Sequence, residues 1–164
     1  MILVDTSIYI SAISDYEVEH ILREARKKAF IISSEVIEKE IDAAATFLRR
    51  KGRKDDAQRL KELYNDVISG TIRLTDRVVE LSDKYATEVR NKVSKDRAYE
   101  MKDDFRIVSS AAIGSIEAIA TFNRRTMANP EIIAIYKEIN DRNRVKTPMF
   151  IKTKEELSKF LSLV

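Results

Sequence analysis

Met1-Ile2-Leu3-Val4-Asp5-Thr6-Ser7 opens the chain with four apolar residues that run straight into an acid and two hydroxyl residues. A short unbroken apolar run reads as a buried parallel strand, because such strands are covered on both faces. Asp5 marks the place where that strand ends. Four later runs have the same form: Phe30 to Ile32, Thr71 to Leu74, Ile116 to Thr121 and Met149 to Ile151. Longer stretches with apolar residues at helical spacing separate them. These are Val18 to Lys28, a segment from Ser33 or Ser34 carrying Ile37, Ile41, Ala44, Ala45 and Leu48, and Asp55 to Ile68. Asp76 begins a long helix through Val79, Tyr85, Ala86 and Val89, and after the polar stretch Asn91 to Lys102 another runs from Asp104 to Ile113.

Local chemistry supplies the punctuation. A serine hydroxyl at position 33 or 34 can accept a hydrogen bond from a first-turn amide. Gly70 is expected to close the preceding helix as its C-cap. Asn129-Pro130-Glu131 opens a helix with proline where no amide is needed. Thr153-Lys154-Glu155-Glu156 has the form of a capping box before a last helix. Arg49 to Lys54 (RRKGRK) is a basic turn between helices, read as solvated. Short strands alternating with helices, and no two-residue hairpin signal, predict a three-layer α/β/α domain over residues 1–164. Its central parallel sheet would hold about four to five short strands.

Composition narrows the function classes. The 164 residues suit one domain. No apolar run approaches the roughly 20 residues that span a bilayer, so no membrane partner is expected. The start lacks a basic region followed by an apolar leader segment, which argues against export. With no Cys, disulfides, zinc–thiolate sites and thiol nucleophiles are excluded, and a reducing, cytoplasmic setting is the simplest reading. A net charge of +3 permits a polyanionic partner without demanding one. The single His, His20, lies in a charged helix and reads as a surface residue. Tyr and Phe mostly fall at core spacing and are not read as base-stacking platforms.

In open α/β sheets the active site gathers at the carboxyl ends of the strands. Asp5 ends the first strand there. Glu38 and Glu40 lie in the first two turns of the helix that follows the second. The helix from Asp104 feeds the fourth strand, so its start lies at the same rim, where Thr121 and Asn123 also arrive. Asp104, Ile107, Ser110 and Ala111 lie on or near one helical face, which aims Asp104 toward the core side of a helix start. Carboxylates brought together repel one another, and a hard divalent cation relieves that repulsion. An all-oxygen set points to Mg²⁺ or Mn²⁺. Such an ion can lower the pKa of a water and stabilise charge on a phosphodiester, which removes the need for a nucleophilic side chain.

These segments resemble the motifs of the PIN domain, a nuclease fold found in VapC-type toxins and RNA-processing factors. The opening run with Asp5-Thr6-Ser7 resembles that family's first motif. Asp104 to Ala111 (DFRIVSSA) resembles the third, and Ala120-Thr121-Phe122-Asn123-Arg124-Arg125 resembles the fourth. The resemblance implies a metal-dependent endoribonuclease whose ion is held by Asp5, Asp104 and a glutamate of the second motif. Glu40 fits that place best, at the border of the buried face marked by Ile37 and Ile41; Glu38 is the runner-up, and Glu35 serves the helix start. Asn123 stands where many members carry Asp, and Thr126 where others carry a further acid, which favours one-metal chemistry. Asn123 would then orient metal water or substrate. Thr6, Ser7 and Thr121 would bond the carboxylates, and Arg124 and Arg125 would meet phosphates on either side of the scissile bond.

The partners implied are an RNA substrate, a small antitoxin if the protein is a toxin, and a second copy in a homodimer. The competing reading is a non-catalytic PIN-fold scaffold that binds RNA. A phosphate-transfer enzyme of another α/β family is disfavoured, because there is no glycine-rich phosphate loop and no second Asp two residues after Asp5.

Overall fold

The computed structural model describes residues 1–163. Five strands form one all-parallel sheet: β1 (Ile2–Val4), β2 (Ile31–Ser34), β3 (Gly70–Ile72), β4 (Ala118–Ala120) and β5 (Met149–Ile151), in the order β3-β2-β1-β4-β5. Nine helices connect and flank them among the described residues: α1 (Thr6–Ser14), α2 (Tyr16–Lys28), α3 (Glu35–Arg50), α4 (Lys54–Val67), α5 (Asp76–Lys92), α6 (Lys95–Glu100), α7 (Lys102–Ile113), α8 (Pro130–Arg142) and α9 (Lys154–Ser162).

The strand order dictates the layers. From β1 the chain moves outward through β2 to β3, then crosses to β4 and moves outward the other way to β5. Right-handed crossovers place the first set of connections, α1 to α4, on one face and the second set, α5 to α8, on the other. Contacts agree, with α1, α2, α3 and α4 packed among themselves and α5 packed on α6, α7 and α8. The three-layer α/β/α architecture is therefore as expected. β1 is buried along its whole length because it has a neighbour on each side and helices above and below.

The predicted caps at Asn129 and Thr153 are in place and, of the two candidate serines, Ser34 is the cap, each accepting a bond from a first-turn amide. One helix, α1, adds to the elements read from the sequence, and two local expectations are corrected. α1 stands where the sequence offers no helical signal, since TSIYISAIS is rich in β-branched residues and serine, which are weak helix formers. Burial of Ile8, Tyr9 and Ala12 holds it instead. Within the polar stretch, Ser94 caps the short α6, and Ala98 is its one buried residue, too little for a periodic pattern. Gly70 does not cap α4. The helix ends at Ile68 in extended backbone, and Gly70 is already the first residue of β3, paired with Ile32. The chain must drop from α4 into the sheet within three residues, which leaves no room for a left-handed cap.

No helix among the described residues is long and apolar enough to cross a membrane. The core is continuous from Leu22 and Leu60 on one face to Tyr85, Phe105 and Tyr136 on the other.

Candidate active site

The strand order reverses between β1 and β4, one of whose connections runs to each face. A crevice outside the carboxyl ends of strands at such a point is where doubly wound sheets place their ligands. Asp5 follows β1 and Thr121 follows β4. Backbone bonds fix both ends: the Asp5 amide donates to Ala120 O at 2.9 Å, and the Thr121 amide to Ile151 O at 2.9 Å.

Asp5 is 5% exposed and caps α1. Its Oδ2 accepts from Ser7 Oγ at 2.6 Å, from Thr121 Oγ1 at 2.8 Å and from the Ser7 amide at 3.3 Å. Those hydroxyls are held in turn: the Phe122 amide donates to Ser7 Oγ at 3.0 Å, and the Asn123 amide to Thr121 Oγ1 at 3.1 Å. The end of β4 and the start of α1 are thereby knitted around one carboxylate oxygen.

Glu40 reaches this crevice from the second turn of α3. Thr6 Oγ1 donates to its Oε2 at 2.5 Å. Asp104 arrives from the first turn of α7, and Thr126 Oγ1 donates to its Oδ2 at 2.6 Å. Each acid is thus pinned through one oxygen by a Ser or Thr hydroxyl. Among the described residues no protein donor reaches Asp5 Oδ1, Glu40 Oε1 or Asp104 Oδ1.

Electrostatics bind the three into one site. Burial pushes the Glu40 carboxyl up to about 7; the Thr6 hydrogen bond opposes this, and the negative charges of Asp5, Asp104 and Asp103 add to it. Burial likewise raises Asp104 to about 6, against the Thr126 hydrogen bond and with the charges of Asp5, Asp103 and Glu100. The charges that act most strongly on both acids are all negative. Two buried tyrosine hydroxyls, of Tyr9 and Tyr136, have no hydrogen-bond partner. Asp5 and Asp104 respectively add to the burial that holds these phenols protonated.

The three second-motif candidates separate cleanly. Glu35 binds the Leu74 amide at 3.0 Å and pairs with Arg73 at 3.6 Å, so it ties α3 to the segment after β3. Glu38 is exposed and its charge acts on Tyr64. Glu40 alone joins Asp5 and Asp104. Asn123 uses its side-chain oxygen to accept the Thr126 amide at 3.2 Å, so that oxygen shapes the turn bearing Thr126. Arg124 donates to Lys152 O at 3.3 Å and Arg125 pairs with Glu100 at 3.0 Å, which sets Arg125 beside the Asp104 end of the rim. His20 is exposed beside Tyr16 and takes no part in this site.

Sequence reading missed three participants. Thr126 was visible only as the absence of an acid, yet its hydroxyl holds Asp104. Asp103 and Glu100 add negative charge beside Asp104, which the charge pattern of the polar stretch could have suggested.

The donor chemistry fits a hard divalent cation: carboxylate and hydroxyl oxygens, with no nitrogen or sulfur ligand. As the side chains stand, no three His, Cys, Asp or Glu among the described residues are gathered tightly enough to share an ion. The site is a mutually repelling set of anchored acids at the carboxyl ends of β1 and β4.

No family model, no curated protein and no solved structure matches the chain at a significant level.

Proposed function

We propose that the protein is a metal-dependent endoribonuclease of the PIN kind, with Asp5, Glu40 and Asp104 as its metal-binding acids. One observation carries this reading: three acids at the switch point of a parallel sheet, each pinned through one oxygen and free at the other. A structural capping role explains Asp5 alone, but not Glu40 and Asp104 held in a half-buried, mutually repelling arrangement. Raised carboxyl pKa values at a crevice mark a site whose charge is meant to be met by a ligand.

Mg²⁺ or Mn²⁺ bound there would supply Lewis-acid stabilisation of a phosphodiester and a water of lowered pKa. The protein's own residues do the positioning. Thr6, Thr126, Ser7 and Thr121 fix one oxygen of each acid, which limits the freedom each carboxylate has to lose on binding an ion. Arg125 would offer phosphate contact at the Asp104 end of the rim when released from Glu100, and Arg124 is positioned by the Lys152 carbonyl. Asn123, with its carbonyl committed, would act on substrate through its amide nitrogen.

RNA cleavage by the purified protein, with and without divalent metal, tests the reading. Cleavage should require the metal and be lost in Asp5→Asn and Asp104→Asn. Undiminished cleavage in both variants would overturn it. The role as the toxin of a toxin–antitoxin pair belongs to the same proposal, with a small antitoxin covering the acidic rim. An antitoxin encoded beside it supports that role, and light scattering tests the proposed homodimer.

A further inference from the structure

Along α3 the residues that share the Glu40 face can be followed outward. Ala43, Phe47 and Lys51 lie three, seven and eleven positions further on, at the spacing that stacks residues on one side of a helix. At about 1.5 Å per residue, Phe47 stands roughly 10 Å and Lys51 roughly 16 Å beyond the acid. Ala43 is small and exposed, so nothing bulky interrupts this face. Phe47 is 59% exposed and stands outside the core. The Lys51 ammonium lies 5.6 Å from its ring centroid.

The face ends in the basic turn between α3 and α4. Arg49, Arg50, Lys51 and Lys54 are exposed and outside every ion pair among the described residues, whereas Arg53 is engaged by Asp56 at 2.7 Å. Backbone hydrogen bonds close the turn itself. The Arg53 amide donates to Leu48 O at 2.9 Å and the Gly52 amide to Arg49 O at 3.0 Å, with Gly52 at φ 77°. This is the Schellman closure, and it fixes how the cations fan out. The turn also stands on the same side of the sheet as the acids. α3 leaves the carboxyl end of β2 at Glu35, while α4 ends at Val67, and Ser69 donates to Ile31 O at the amino end of β2. The start of α4 is therefore at the carboxyl side.

Resting on the ribonuclease reading above, we infer that the outer half of α3 and the α3–α4 turn form a docking arm for single-stranded RNA. Phe47 stacks a base, and Arg49, Arg50, Lys51 and Lys54 hold the phosphates that follow. The strand would run from the acidic crevice along the Glu40–Ala43–Phe47–Lys51 face to the turn. An exposed aromatic ring set among unpaired cations is the combination that binds single strands with little sequence preference. The acids of the site would repel RNA on their own, so a cationic arm beside them adds attraction to that offered by Arg124 and Arg125.

Fluorescence anisotropy in EDTA, with a fluorescein-labelled single-stranded RNA of about 16 nucleotides, tests the arm without cleavage. The quadruple variant R49Q/R50Q/K51Q/K54Q should bind at least about tenfold more weakly, with a salt slope lower by roughly 3, about 0.7 per lost phosphate contact. Phe47→Ala should weaken binding by about fivefold or more and leave the salt slope unchanged, as loss of stacking without loss of charge requires. The control R26Q/K27Q/K28Q removes a similar exposed basic run from the end of α2, which leads into the amino edge of the sheet. It should bind within about twofold of the parent protein. Parent-like binding by the quadruple variant, or an equal loss in the control, would overturn the arm, as would absence of binding by the parent protein. Because binding is read without metal, failure of the arm and failure of the nuclease assignment appear in separate experiments.

Discussion

Thr6 donates its hydroxyl to Glu40 at 2.5 Å across 34 positions of sequence, joining the first residue of α1 to the second turn of α3. Removing the hydroxyl leaves Glu40 half-buried and repelled, without the one hydrogen bond that orients it. Thr6→Val should weaken Mn²⁺ binding by about tenfold or more, the usual cost of losing a group that orients a ligand. Thr6→Ser should restore most of it. Calorimetric titration with Mn²⁺ checks both, and equal affinity in all three proteins would show that Glu40 is not a ligand.

Glu40 and Asp104 also make stability depend on pH in a defined direction. Their folded-state values, about 7 and about 6, lie above the ordinary 4.5 and 3.8. Between these limits the folded protein holds more protons than the unfolded chain, so stability falls as pH rises. The contribution is fully present below about pH 4 and lost once pH passes about 7. Thermal melts in EDTA from pH 4 to 8 should show this decline, and E40Q/D104N should flatten it. Above pH 7, millimolar Mn²⁺ should restore the melting temperature of the parent protein and leave the variant unchanged.

The neighbouring glutamates offer a direct comparison. Glu38→Gln should cleave RNA like the parent protein, whereas Glu40→Gln should lose at least about a hundredfold in rate, roughly 2.7 kcal/mol of transition-state stabilisation. A single-turnover cleavage assay distinguishes them. The opposite order would move the second-motif role to Glu38.

Tyr136 is wholly buried with a hydroxyl that has no hydrogen-bond partner. A buried polar group left unpaired costs about 1–3 kcal/mol. Tyr136→Phe keeps the ring packed edge-on against Tyr85 and should raise stability by about 1 kcal/mol in urea denaturation. A loss of similar size would reveal a bound water that the hydroxyl serves.

Gly52 carries the turn between α3 and α4 at φ 77°, and a Cβ there would meet nothing within 4 Å. Strain is therefore conformational alone, and Gly52→Ala should cost about 1–2 kcal/mol. Chemical denaturation measures it. A neutral result would mean that the turn can close in another conformation.

The sequence by itself determined the alternation of strand and helix, the parallel sheet, a serine cap at 33 or 34, the caps at Asn129 and Thr153, and the rim on which Asp5 and Asp104 meet. Those features are local, or follow from hydrophobic period and connection length, so residues near one another in the chain suffice to state them. The choice of Glu40 over Glu35 and Glu38 depended on the direction of α3 relative to α1 and α7, which helical spacing could only suggest. Tertiary packing alone decided the rest. α1 forms from poor helix formers because Ile8, Tyr9 and Ala12 are buried. Thr126 meets Asp104 because the turn after β4 folds back over the start of α7. Phe47 stays in solvent because the core is filled from other faces. These outcomes turn on desolvation and on hydrogen bonds between distant segments, and neither has a period that can be read along the chain.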